Sequence, residues 1–288
     1  MSALVHATNS PLATFPAPAA SVDPLAPILD CVAAVRRRHG EAPVHGLAPG
    51  LLVRDPAGWV PATWFADGSA LPELLDAARR RWNASPHAAA ALAWKSYAYW
   101  TVLPAVLGYA YARRVPLMTA ENTLVRLHVS APFLEIGLRR PRVAVLPGDP
   151  LASRGRGEHP LAGRGGGEYS RRPSDVRVVE DLPGFMKTTL VDGHLAPVLE
   201  ALSDQVHLGR RTLLGSLASG IGYALVRAHH ALPAPVPETA HTLLSALGVE
   251  DLVEVSDEPV VRRHTCCLAF TLPEPKVCRG CCIPARTR

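Results

Sequence analysis

Four cysteines near the C-terminus are spaced for metal chemistry. In the run HTCCLAFTLPEPKVCRGCCIPARTR, Cys278 and Cys281 form C-x-x-C. That spacing turns two thiolates toward one metal centre and exposes the backbone N–H groups of Arg279 and Gly280 to the sulfurs. Redox dithiols, zinc sites and iron–sulfur sites all use it. The adjacent pair Cys266–Cys267 narrows the choice. Neighbouring side chains of extended backbone point to opposite faces, so both sulfurs reach one mononuclear ion only through a sharp turn. A two-iron rhomb is larger and has separate coordination positions, which accommodates adjacent cysteines more easily. The ten residues between the pairs include Pro273 and Pro275, so the connecting loop is partly rigid before metal arrives. Cys266, Cys267, Cys278 and Cys281 are a complete ligand set for a [2Fe–2S] cluster, and four thiolates also suit tetrahedral zinc. Cys282, beside the last of them, offers a Cys278/Cys282 ligand pair or a dithiol or persulfide relay with Cys281.

Composition places these residues in a reducing setting. Five of the six cysteines fall within 17 residues, unlike the dispersed pattern of a secreted disulfide scaffold, and a 288-residue chain has apolar content enough for a core without staples. The first twenty residues have no Lys or Arg before their apolar stretch, and prolines interrupt it, which makes a poor secretory signal. A cytoplasmic protein is expected. The formal net charge is +5, and from Val261 onward six basic residues meet only Glu274, leaving 24 basic and 24 acidic residues in 1–260. The whole positive excess therefore surrounds the cysteines, where it suits an acidic electron donor and the more negative reduced state of a cluster. Neither G-x-G-x-x-G after a strand nor G-x-x-x-x-G-K-[ST] occurs, so electrons must come from outside the chain.

The elements expected to hold the cysteines are mainly helical. Residues 1–23, rich in Ala, Pro and Ser, read as a disordered arm. Residues 24–258 read as one α+β domain, and 259–288 as a C-terminal iron–sulfur-binding segment. Apolar spacing from Leu25 to Val35 predicts a helix with Cys31 buried beside its stripe and Arg36–Arg38 near its end. A hairpin is expected over Leu51–Phe65, then a helix capped by Ser69 and running to about Trp82. The long apolar region from Pro86 to Arg113, with Pro104 inside it, reads as a buried core helix, short and polar for a membrane span. Leu124–Val129, Phe133–Leu138 and Val143–Leu146 predict a small antiparallel sheet. The Gly/Arg-rich run 153–173 reads as a flexible solvated loop rather than an RNA-binding repeat. Beyond it, 192–206, 209–230 and 237–247 read as helical.

The pattern C-C-x10-C-x2-C, preceded by Arg262–Arg263 and continuing as Cys267-Leu-Ala-Phe-Thr-Leu-Pro273, closely resembles the end of the FhuF-like ferric-siderophore reductases. Upstream, Arg211-Thr-Leu-Leu-Gly-Ser-Leu-Ala218 resembles a helical stretch of the same family. The motif match covers about 22 residues and is highly specific; elsewhere the likeness is diffuse. It implies a cytoplasmic one-electron reductase of ferric siderophores, in particular hydroxamates, with a [2Fe–2S] cluster on Cys266, Cys267, Cys278 and Cys281 as metal ligands and electrons from an external donor such as a ferredoxin or a reductase. Family spacing favours Cys281 over Cys282. Hard hydroxamate oxygens hold Fe(III) far more tightly than Fe(II), so one added electron loosens the chelate and serves iron acquisition.

No general acid or base is required, so no catalytic residue beyond the cluster is expected. Neither a nucleic-acid partner nor more than peripheral membrane association is expected. Lys95, Tyr97, Trp100 and Tyr111 combine cationic and aromatic character in one helical region and are the candidates for contacting the chelate, although aromatics at such spacing more often pack in a core, so no substrate-binding residue is assigned. His264 reads as a surface or supporting residue, and His229 and His230 as ordinary surface or packing residues. The rival readings are a zinc-stabilised binding module and a non-catalytic iron–sulfur electron-transfer or sensor protein.

Overall fold

The computed structural model describes residues 23–155, 175–256, 258, 260–278 and 280–283. Residues 1–22 of the expected arm and 156–173 of the expected loop lie outside the described residues. The chain is α+β and mainly helical.

Helix α1 (Ala26–His39) buries Ile28, Cys31, Val32 and Val35 and ends in Arg36–His39, as its spacing predicts. Burial pushes the Cys31 thiol up to about 12, which marks it as a packing residue. Strand β1 (Leu47–Leu52), strand β2 (Val60–Pro61), the short α2 (Thr63–Ala66) and α3 (Leu71–Trp82) follow. The expected turn forms at Pro56–Trp59, but its flanks do not pair as a hairpin. Instead β1 and β2 occupy opposite edges of one sheet. Val60–Pro61 is only two residues long, and Pro61 lacks an N–H for a ladder, which confines it to an edge. Ser69 does not cap α3. Its hydroxyl donates to the Trp64 carbonyl, and the helix begins after Ala70.

Helix α4 (Pro86–Ala112) is the axis of the molecule. Ser85 caps it by accepting from the Ala88 N–H, and Pro86 occupies the first turn, where its missing donor costs nothing. The helix is buried almost all round, the behaviour of an apolar core helix, and it continues through Pro104. Among the described residues no helix is long and apolar enough to cross a membrane.

After α4 the chain forms β3 (Arg114–Pro116), β4 (Thr123–Leu127), β5 (Leu134–Leu138), β6 (Val143–Val145), the short α5 (Ala152–Gly155) and β7 (Val176–Val178). Strands β4 and β5 pair antiparallel, with Val125 opposite Ile136, as expected. The sheet order is β1-β5-β4-β2, with β1 parallel to β5. Strand β6 does not extend this sheet. It joins β3 antiparallel and β7 parallel in a second one, so the sheets are mixed.

The remaining helices are α6 (Leu182–Met186), a π-helical turn at Lys187–Leu195, α7 (Ala196–Gln205), α8 (Arg210–Ala228) and α9 (Val236–Ala246). In the π-helical turn His194 is fully buried. Its Nδ1–H donates to the Met118 carbonyl at 2.6 Å, which leaves Nε2 to accept from the Tyr97 hydroxyl at 2.6 Å. Helix α8 packs along α4, and the Trp94 indole donates to the Leu213 carbonyl at 2.7 Å. A ribbon of β8 (Val253–Val255) and β9 (Val261–Arg263) lies on α8 and leads into the cysteine segment.

Candidate metal centre

The cysteines are positioned by β9, α4 and α8. Beyond β9 the His264 N–H donates to the Leu252 carbonyl, and Thr265 closes on α8 where Gly215 has no Cβ; any side chain there would collide with Thr265. Cys266 and Cys267 then diverge. Cys267 is 3% exposed and packs with Ala88 and Leu92 of α4 and with Ala269 and Leu272, whereas Cys266 is partly exposed. A short 3₁₀ turn at Ala269–Thr271 starts the return, and the Lys276 N–H donates to the Ala269 carbonyl.

The C-x-x-C loop docks against β9. The Arg263 N–H donates to the Gly280 carbonyl at 2.9 Å, and the Cys281 N–H to the Cys278 carbonyl at 3.0 Å. Gly280 has φ +81°, and a Cβ on it would strike the Val261 carbonyl oxygen. Only glycine lets this loop approach the strand, because both the backbone conformation and the space exclude a side chain.

A close sulfur–sulfur approach crosses the loop. Cys267 Sγ and Cys278 Sγ lie 3.3 Å apart. Two thiolates on one tetrahedral metal at about 2.3 Å from it stand about 3.8 Å apart, so this pair is close to chelating distance. The Leu268 N–H donates to Cys266 Sγ at 3.3 Å, and the Ile283 N–H to Cys281 Sγ at 3.4 Å. Such N–H groups stabilise thiolate sulfur in iron–sulfur sites. Cys282 is exposed; burial, then the neighbouring Cys266 and Cys281 sulfurs, raise its thiol pKa, which locates all three together. Among the described residues no three His, Cys, Asp or Glu side chains converge in a way that would hold a single ion.

Cations face the sulfurs. Lys95 Nζ on α4 is 3.9 Å from Cys267 Sγ and 3.9 Å from Cys278 Sγ. The shared hydrogen bond with Cys278, followed in strength by the Lys95 charge among the favourable influences, holds the Cys267 thiol well below its ordinary range, while Cys278 retains the proton of the pair. Arg263 is 2% exposed. Its Nη2 donates to Ser216 Oγ at 3.2 Å, but Nε and Nη1 have no hydrogen-bond partner among the described residues. A buried guanidinium half unsatisfied is costly unless an anion lies near it. Its charge favours the thiolate forms of Cys267, Cys278 and Cys282, as the smallest of several influences on each. Donor chemistry, N–H groups to sulfur and the orphaned Arg263 nitrogens together fit a dianionic four-thiolate [2Fe–2S] cluster.

A cavity of about 550 Å³ opens directly beside this group, and Cys278 and Lys95 form part of its wall. Of the four residues suggested for substrate contact, Lys95 and Trp100 line it. Tyr97 does not: it is fully buried in the core and committed to His194. Tyr111 packs on the core and is not part of the wall. The reason is helical geometry: Tyr97 is two residues, about 200°, from Lys95 and so projects from the other side of α4, whereas Tyr111 shares the side of Trp100 but lies eleven residues, about 16 Å, further along the axis. His264 is exposed, with Nδ1 on the Asp251 carbonyl, and His229 and His230 bond to the Val226 and Ala34 carbonyls, in keeping with their expected roles.

Sequence reasoning missed α8 as the opposite wall, supplied by Ser216, Ser219, Gly220, Tyr223 and Arg227. The signal was available in the small residues Gly215, Ser216, Ser219 and Gly220, which recur on one face at helical spacing and leave room beside α4. No protein-family model matches the chain, and neither does any curated protein.

Proposed function

We propose that this chain is a cytoplasmic ferric-siderophore reductase of the FhuF-like type, binding a [2Fe–2S] cluster through Cys266, Cys267, Cys278 and Cys281. When bound, the cluster supplies one-electron transfer. The observation that carries the reading is the cavity wall: a void of about 550 Å³, within the ordinary range for small-molecule sites, shares Cys278 and Lys95 with the sulfur group. A chelate seated there lies next to the electron carrier, and what the protein contributes is proximity and a suitable potential.

Each residue then has a physical task. Lys95 and Arg263 offset thiolate charge, the N–H groups of Leu268 and Ile283 support Cys266 and Cys281, and Gly280 allows the loop to close on β9. One electron from an external ferredoxin or reductase converts Fe(III) to Fe(II), and the hard-oxygen chelate, hydroxamate in the family pattern, then releases its metal. Cys281, partly buried and accepting an N–H, is the better fourth ligand than the exposed Cys282.

The test is anaerobic purification with an absorption spectrum and iron and sulfide counts, followed by mixing the chemically reduced protein separately with a ferric trihydroxamate and with ferric citrate, each with a ferrous-specific dye. Two irons and two sulfides per chain are expected for this cluster type, with prompt dye colour. Zinc without sulfide overturns the cofactor assignment; a reducible cluster that leaves both ferric chelates intact overturns the activity.

A further inference from the structure

Among the described residues the cavity beside the cysteines is lined by Lys95, Arg227 and Lys276 and by no Asp or Glu. These cations do not all serve the sulfurs. A four-thiolate oxidised cluster is dianionic, and two cations, Lys95 at 3.9 Å from two sulfurs and the buried Arg263 behind them, already match that charge. Arg227 and Lys276 remain. Arg227 is held in place by aromatic faces, its guanidinium 5.2 Å from the Tyr99 ring centre and 5.9 Å from that of Tyr223, and it donates to the Tyr99 hydroxyl. Those contacts orient the guanidinium without neutralising it. Lys276 stands exposed on the opposite, cysteine-bearing segment. The walls between them are aromatic, with Trp82 and Trp100 among them.

Resting on the proposed reductase reading, we infer that this cavity is the chelate site and that Arg227 and Lys276 make it select ferric complexes of net negative charge, whose free carboxylate or catecholate oxygens they meet, over neutral trihydroxamates. A neutral complex would cover the partly buried Arg227 guanidinium against aromatic walls without a counter-charge, a cost that an anionic complex removes, while the exposed Lys276 adds attraction at the rim. Arginine presents a fork suited to carboxylate, and lysine at the rim supplies attraction during encounter.

Gallium(III) complexes test this because gallium follows ferric coordination and cannot be reduced, so binding is read without electron transfer. Cluster-loaded protein is titrated with gallium citrate, a gallium tris-catecholate and a neutral gallium trihydroxamate, using quenching of the cavity tryptophans and calorimetry. At low salt at least one anionic complex is expected to bind about tenfold or more tightly than the neutral one, with affinity falling as salt rises. Arg227→Gln and Lys276→Gln are each expected to weaken that anionic complex about five- to tenfold while leaving the neutral one within about twofold. Lys276 is a surface residue, so its variant keeps the fold. Equal or tighter binding of the neutral complex, or variants with unchanged affinities, overturns the inference. Gallium citrate that binds while no ferric chelate is reduced sinks the reductase reading and leaves the anion site standing. Ferric chelates reduced with no charge preference do the reverse.

Discussion

Cys267 and Cys278 place their sulfurs 3.3 Å apart although the two residues belong to different halves of the cysteine motif. This close pair therefore bridges the loop, and the adjacent residues Cys266 and Cys267 are split between two positions. A two-metal rhomb and a four-thiolate zinc site both draw ligands from the two halves, so the contact is compatible with the proposed cluster without selecting it.

Cys267→Ser and Cys278→Ser each remove a thiolate from this pair and are expected to abolish cluster absorption, with iron and sulfide falling to near background. Cys281→Ser is expected to do the same and Cys282→Ser to retain the cluster, since only Cys281 combines partial burial with an N–H donor to its sulfur. Loss of the spectrum in Cys282→Ser alone would transfer the fourth ligand to that residue.

Lys95 bears on the potential. Its ammonium lies 3.9 Å from two sulfurs and favours the more negative reduced state. In Lys95→Met the loss of about 1 kcal/mol of that preference, after screening by the open cavity, corresponds to a midpoint roughly 40 mV more negative for one electron. A redox titration followed by electron paramagnetic resonance reads it. An unchanged or raised midpoint would show that Lys95 is not an electrostatic partner of the centre.

His194 gives the fold a pH dependence. Burial holds its pKa down to about 4, with the Met118 and Glu121 influences opposing. Between the unfolded value near 6.5 and about 4 the unfolded chain binds a proton that the folded chain does not, so stability is full above about 6.5 and falls as pH drops through that window. The full effect is about 3 kcal/mol. Urea denaturation at pH 7.5, 6 and 5 is expected to show the decline, and His194→Gln to flatten it. Equal slopes in both proteins would assign the dependence elsewhere.

How much of this was legible in the sequence differs by range. The metal-binding residue types were plain because their spacing is local, and α1 and α4 were plain because their apolar patterns are. Strand partners were not: β1 and β2 flank a genuine turn yet pair with different strands, and β6 leaves β4 and β5 for β3, choices set by tertiary packing rather than by alternation. The surroundings of the sulfurs were hidden for the same reason. Lys95 was noticed for its neighbours on α4, but that it faces Cys267 and Cys278 depends on how the helix meets the final segment. Tyr97 shared its composition signal and turned instead to His194.

Arg263 offers a test in which the sign of the effect changes with the cofactor. In the metal-free chain its buried guanidinium keeps Nε and Nη1 unsatisfied, so the charge is a net cost, and a methionine of similar length is expected to be neutral or stabilising by about 1 kcal/mol. In the loaded protein the same cation neutralises thiolate charge, and Arg263→Met is expected to release cluster faster and to lower the midpoint in the same direction as Lys95→Met. Thermal denaturation of the metal-free protein and cluster loss to a chelator in the loaded one measure the two halves. A variant destabilised equally in both states would make Arg263 a packing residue, because loss of packing does not depend on whether an anion is present. Opposite effects would mean that Arg263 is retained at a folding cost for the charge it brings to the cysteines.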